Sequence, residues 1–181
     1  MIRAFVGIPM PEETADRLAA VQAGLPTGRA VAPEGLHLTL AFLGEQPEPV
    51  VEDVHLALGD IRSGPEALVL EGLGIFGGAT PRNLHAVVRP DPALSALRKQ
   101  VQRAAREAGV DLPREKFVPH VTLARFRQGM APEDLALLHR YVAARMGAVS
   151  GRVPVTEFTL YRSHLTSEGA AYEALAEYPL G

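Results

Sequence analysis

Two pentapeptides carry side chains whose types and spacing suit chemistry: His37-Leu-Thr-Leu-Ala41 and His120-Val-Thr-Leu-Ala124. On a β-strand, successive side chains alternate between faces, so His37 and Thr39 point one way while Leu38 and Leu40 point the other. The same alternation separates His120 and Thr122 from Val121 and Leu123. With the apolar residues packed inward, each strand presents an imidazole and a hydroxyl from positions roughly 7 Å apart along it. Two such strands side by side build a four-cornered polar patch that suits a phosphate. The hydroxyls donate to non-bridging oxygens, one neutral imidazole takes a proton from water, and a protonated partner gives one to a departing alkoxide. That scheme predicts a bell-shaped pH–rate profile bracketing neutrality, and it calls for neither a metal nor a covalent intermediate.

Six histidines and eight threonines among 181 residues give roughly 0.3 His-x-Thr matches by chance, so a single match is weak evidence. Alone, either motif reads equally well as a solvated sheet face, because threonine favours strands. The shared Leu-Ala that follows both makes the pair more specific. A third match, His164-Leu-Thr166, falls in Ser163 to Gly169, which reads as a hairpin loop, so it is taken as a coincidence or a rim contact. Each main motif is followed five residues later by a candidate contact, Phe42 and Arg125. An odd offset points to the opposite face of a regular strand, so both uses require a bulge or a strand end there. Arg125 suits charge building up on phosphoryl oxygens. Phe42 could stack on a base or pack in the core. Arg29, Arg114, Lys116 and Arg127 could guide an RNA backbone or simply form a solvated rim.

The elements that must position these residues alternate along the chain. Strands are expected over Ile2–Ile8, Leu36–Leu43, Ala67–Phe76, Asn83–Arg89 and Val118–Phe126, and a closing hairpin over Arg152–Arg162 and Ala171–Tyr178. Helices are expected over Pro11–Ala23, Val50–Ile61, a stretch marked by Leu94, Leu97, Val101, Ala104 and Ala108, and Pro132–Arg145. The motif strands are each followed by a helix, which hints at an internal duplication. The fold class is α+β with mostly antiparallel strands, and residues 1–181 read as one compact unit.

Composition narrows the function. Net charge is −3, so a broad electrostatic grip on long nucleic acid is not expected. There is no cysteine, which removes disulfides, thiolate zinc sites and thiol nucleophiles. His55 and His139 offer no His-x-x-x-His or His-Glu-x-x-His spacing, so no metal site is expected, and activity should survive a chelator. No stretch approaches the ~20 apolar residues of a membrane span, and the opening residues do not read as a signal peptide. The expected location is the cytoplasm of a bacterium or archaeon, and the expected state is a monomer.

The paired blocks Pro33-Glu-Gly-Leu-His-Leu-Thr-Leu-Ala-Phe-Leu-Gly44 and Phe117-Val-Pro-His-Val-Thr-Leu-Ala-Arg125 resemble the signatures of the 2H phosphoesterase superfamily. Within it, they resemble the RNA 2',3'-cyclic phosphodiesterases, formerly called 2'-5' RNA ligases. Ile2 to Ile8, Gly72 to Gly78 and Gly169 to Tyr172 are weaker agreements. His85 is a departure, because relatives commonly carry tryptophan there. The resemblance implies a bilobal fold, two pseudo-symmetric lobes of mainly antiparallel sheet with helices outside, each lobe contributing one His-x-Thr strand to a central cleft. It implies an RNA end bearing a 2',3'-cyclic phosphate, opened by water to a 2'-phosphate without a cofactor. By that analogy His37 is the proton donor, His120 the proton acceptor, and Thr39, Thr122 and Arg125 hold phosphate. Related activities stay open: 2'-5' ligation, ADP-ribose cyclic phosphate or 2'-5' oligoadenylate cleavage, nucleotide binding, or a non-catalytic module reading RNA ends.

Overall fold

The computed structural model describes residues 1–181. Its strands and helices follow in the order β1 (Ile2–Pro9), α1 (Glu12–Gln22), β2 (Arg29–Ala30), β3 (His37–Gln46), α2 (Glu48–Leu58), β4 (Ala67–Phe76) and β5 (Asn83–Val88). Then come α3 (Pro92–Glu107), β6 (His120–Arg125), α4 (Pro132–Arg145), β7 (Ser150–Pro154), β8 (Glu157–Thr166) and β9 (Gly169–Pro179). All strands join one nine-stranded antiparallel sheet in the order β7-β4-β5-β6-β3-β1-β8-β9, with β2 also paired to β6. The class is α+β, as the alternating patterns imply.

The two motif strands lie side by side at the centre, bridged at Leu38 opposite Val121. Their inward residues anchor them: Leu38, Leu40, Val121 and Leu123 are each 1% exposed or less. Burying each such side chain is worth about 1.5–3 kcal/mol, and a one-residue slip would turn the whole set to solvent. The register is therefore fixed by the same alternation that exposes the histidines.

Helices cover the buried face. In α3, Asp91 caps the N-terminus by accepting from the Leu94 amide at 2.9 Å, and Pro92 opens the first turn. Leu94, Leu97, Val101, Ala104 and Ala105 then form one buried stripe. The helix leaves β5 on one side of the centre and packs on β3 on the other. On the opposite flank, Tyr141 of α4 donates to the Val21 carbonyl of α1. Gln22 reaches from α1 to the Leu123 carbonyl of β6 at 2.8 Å.

Several sequence expectations need correcting. The strand expected over Arg152–Arg162 is two strands on different flanks: β7 pairs with β4, and β8 pairs with β1. Pro154, which has no N–H to continue a ladder, ends the first of them. The expected loop Ser163–Gly169 shrinks to Ser167 and Glu168, so His164 stands on β8, exposed and 2.8 Å from Glu173. Strand β6 begins only at His120, because Pro119 precedes it. Helix α2 runs Glu48–Leu58 rather than Val50–Ile61. The two-residue strand β2 carried no pattern long enough to detect.

Candidate active site

Antiparallel pairing at Leu38 and Val121 sets His37 near Thr122 and Thr39 near His120, all four on the face away from the helices. The two imidazoles thus occupy diagonal positions, which in a regular ladder lie about 7–8 Å apart. All four side chains are part-buried.

Each imidazole is oriented by the same local device. The His37 Nδ1–H donates to the Gly35 carbonyl at 2.7 Å, and the His120 Nδ1–H donates to the Val118 carbonyl at 2.7 Å. In both cases the acceptor lies two residues upstream, and the bond leaves Nε2 as the ring nitrogen available for other contacts. Thr39 Oγ1 lies 3.1 Å from His37 Nε2. The Gly35 carbonyl is presented by a single 3-10 turn over Pro33–Gly35.

Aromatic rings wall both histidines. Phe5 on β1 lies against His37 at 4.6 Å between centroids, and Tyr172 on β9 meets it edge-on at 5.2 Å. His120 meets Phe76 edge-on at 4.8 Å and His85 at 5.2 Å. His85 is itself buried, stacks on Phe76 at 4.0 Å and has its Nδ1 3.0 Å from Asn83 Oδ1. These surroundings set the electrostatics. Burial pulls the His37 imidazole down to about 4, helped by the charges of Arg125 and His120 and opposed by the bond to Gly35. His120 is lowered by burial and by Arg125, against the bond to Val118. Burial, then His120, draws His85 down to about 4.

Two glycines make the close packing possible. A Cβ on Gly7 would stand 2.9 Å from the Leu38 carbonyl oxygen and 3.1 Å from the His37 ring. One on Gly74 would stand 2.6 Å from His85 Nε2. Sequence reasoning did not single out Gly7, Gly74, Phe5 or Phe76 for the site. A glycine inside an apolar strand, the signal at Gly7 and Gly74, marks such close approaches.

The five-residue offsets are resolved by bulges. Against β1, β3 skips from Thr39 to Ala41, and Leu40 and Ala41 are both buried. Against β5, β6 skips from Thr122 to Ala124, and Leu123 and Ala124 are both buried. Each extra residue restores the next outward position to the histidine face. Phe42, 66% exposed, consequently lines a cleft of about 380 Å³ with Thr39, Phe76, Lys116, Phe117 and His120. Arg125 is exposed at the other end and close enough to influence both histidines. Arg114 lies off this cleft, and Arg127 lines a separate depression beside Arg125.

His55 bonds Tyr178 through Nδ1 at 2.8 Å, on the face of the sheet away from the cleft, and His139 is exposed on α4. No three His, Asp or Glu side chains converge into a set that could hold a metal ion. No helix is long and apolar enough to cross a membrane.

Comparison with known proteins places this geometry in a family. The profile of the 2'-5' RNA ligase superfamily matches residues 10–166. An RNA 2',3'-cyclic phosphodiesterase of Geobacillus stearothermophilus is 34% identical over 97% of this chain, and the chain spans 56% of that protein's length. One from Thermus thermophilus is 34% identical over 99% of this chain and 90% of the relative. Among solved structures, Escherichia coli LigT complexed with 3'-AMP superposes with a TM-score of 0.78 at 28% identity, covering 99% of this chain and 98% of that one. Matched along most of its length in both sequence and fold, and with its two His-x-Thr strands adjacent at the centre of the sheet, the chain belongs to the 2'-5' RNA ligase superfamily.

Proposed function

We propose that this protein is an enzyme that hydrolyses RNA 2',3'-cyclic phosphate ends to 2'-phosphates. The observation that carries the reading is the meeting of two imidazoles tethered alike through Nδ1, which leaves Nε2 for proton exchange, beside two threonine hydroxyls on one sheet face. The similarity to RNA 2',3'-cyclic phosphodiesterases of several bacteria and archaea supports the substrate class.

In this reading the cyclic phosphate sits among His37, Thr39, His120 and Thr122, with the threonine hydroxyls donating to non-bridging oxygens. Neutral His120 takes a proton from water as the water oxygen bonds to phosphorus. The bond from phosphorus to the 3' oxygen breaks, and His37 protonates that oxygen. The product is a 2'-phosphomonoester with a free 3' hydroxyl, and solvent resets the two histidines. The assignment of donor and acceptor follows the family resemblance, since the two tethers are alike. Arg125 meets charge developing on the phosphoryl oxygens, and Phe42 offers a face for the terminal base. Binding of 3'-AMP and ATP by LigT supports a nucleotide-sized end as the recognised unit. RNA is made and cut in the cytoplasm of bacteria and archaea, which favours that compartment. The two flanks of the sheet we read as lobes of one domain, acting as a monomer.

The test is a short oligoribonucleotide ending in a cyclic phosphate, incubated with the protein in EDTA, with the product's phosphate position determined. A 2'-phosphate product is expected. A 3'-phosphate would reverse the leaving oxygen, and loss of activity in EDTA would reject the metal-independent scheme. Binding without turnover would favour a module that only reads RNA ends.

A further inference from the structure

We propose that Arg29, standing beside Arg125, forms a second phosphate subsite, which holds the phosphodiester preceding the terminal nucleotide and so selects RNA strands over mononucleotides. The inference rests on the reading of the central site as one for RNA ends, and adds the direction from which the strand enters.

Arg29 stands directly opposite Arg125 in the β2–β6 pairing, and both are exposed. Like charges at directly opposed positions destabilise a sheet, so the arrangement is costly unless an anion joins it. No protein carboxylate does: Glu34, Glu168 and Asp134 line the adjoining cavities, yet none forms an ion pair with either arginine. Guanidinium groups from two opposed strand positions that line one cavity are suited to the oxygens of a phosphodiester, which each can grip in fork geometry.

The pair is also built rather than incidental. Strand β2 is only two residues long, and it reaches β6 because Gly28 lies at φ +88 with no room for a side chain. A Cβ there would fall 2.4 Å from the Phe126 ring. The Val31 amide then donates to the Leu123 carbonyl at 2.8 Å and secures the far end. Arg29 Nη1 rests near the β8–β9 turn, 3.4 Å from where a Cβ of Gly169 would be.

The pair is continuous with the central site. A cavity of about 400 Å³ is lined by Arg29, Arg125, Gly35 and Tyr172. Gly35 tethers His37 and Tyr172 packs edge-on against it. Along β6 the order is therefore His120, Thr122, Arg125, with the Phe42 cleft beyond the histidine end. A strand crossing the sheet sets its terminal base toward Phe42, its cyclic phosphate at the histidines with Arg125 beside it, and its preceding phosphate at Arg29.

The experiment compares R29Q with wild type on two substrates, a nucleoside 2',3'-cyclic phosphate and a five-residue oligoribonucleotide with the same end. R103Q, which removes an equal charge from the outer face of α3, is the control. We expect R29Q to lower the oligomer-to-mononucleotide ratio of kcat/KM at least tenfold, and R103Q to leave it unchanged. The salt dependence of kcat/KM for the oligomer should also become shallower, by about 0.7 in log–log slope for one lost contact to a single strand. An equal effect of R29Q on both substrates, or none on either, overturns the subsite while leaving the proposed reaction intact. A wild-type protein that opens neither substrate overturns the reaction itself, and the subsite with it.

Discussion

The two histidines are tethered alike but not solvated alike, and that difference reaches the pH dependence. The scheme needs one imidazole protonated and the other neutral. Burial and the Arg125 charge hold both below their ordinary range in the free protein, His37 at about 4. As pH rises through the donor's pKa the proton it must deliver is lost, so kcat/KM should peak on the acid side of 6.5 rather than bracket neutrality. A bound phosphate anion stabilises the imidazolium and raises its pKa. The descending limb of kcat should therefore lie at higher pH than that of kcat/KM, by roughly one unit or more. Parallel profiles from pH 4 to 9 check this, and a flat kcat/KM from 5 to 9 would refute proton transfer by the pair. Roles can be separated through the leaving group. H37A and H120A should each cost at least ~10²-fold on a cyclic phosphate. On a nitrophenyl phosphodiester, whose leaving oxygen departs without a proton, H37A should recover most activity and H120A should not. Equal losses on both substrates would contradict the donor assignment.

At the scale of strands, the site depends on departures from regularity. Bulges at Leu40–Ala41 and Leu123–Ala124 return Phe42 and Arg125 to the histidine face. Gly7 lets β1 lie close enough for the Phe5 ring to wall His37. A methyl group at Gly7 meets a backbone carbonyl and the imidazole itself, so either the strands part or the ring turns. For G7A we expect a stability loss of about 1–3 kcal/mol and a rate loss of about 10–10²-fold, because small misplacements of a catalytic group are costly. Melting temperature measured beside kcat distinguishes the two effects. A fully active G7A protein would show that the close approach does not set the imidazole's position.

For the whole molecule, stability and the site are tied through buried neutral histidines. His37 and His85 lie at about 4 in the folded protein, against 6.5 in an unfolded chain. Between those values the unfolded state binds protons that the folded state excludes, so stability falls as pH drops from 6.5 to 4. For His85, 4% exposed, the loss is on the order of 3 kcal/mol. The H85F protein should lose part of that acid sensitivity, read from melting midpoints at pH 7.5 and 4.5; an unchanged drop would remove His85 as a cause. The same melts address the reading of one domain. Because α3 leaves one flank of the sheet and packs on the other, a single cooperative transition is expected at pH 7.5, and two separated transitions would contradict it.

Local patterning alone determined the motif strands, their inward leucines and valines, and the α+β class. Alternation with period two, or with 3.6 along α3, is a property of neighbouring residues. The repeated His-x-Thr-Leu-Ala also made the family resemblance legible before any coordinates. Which strand lies beside which was not legible. Pairing of β3 with β6 joins residues 37 and 120 across a chain separation that carries no local signal. The split at Pro154, the strand position of His164 and the approach of β2 on Gly28 were likewise decided by tertiary packing. So were the depressed pKa values of the histidines, since burial and neighbouring charge exist only once distant segments have met.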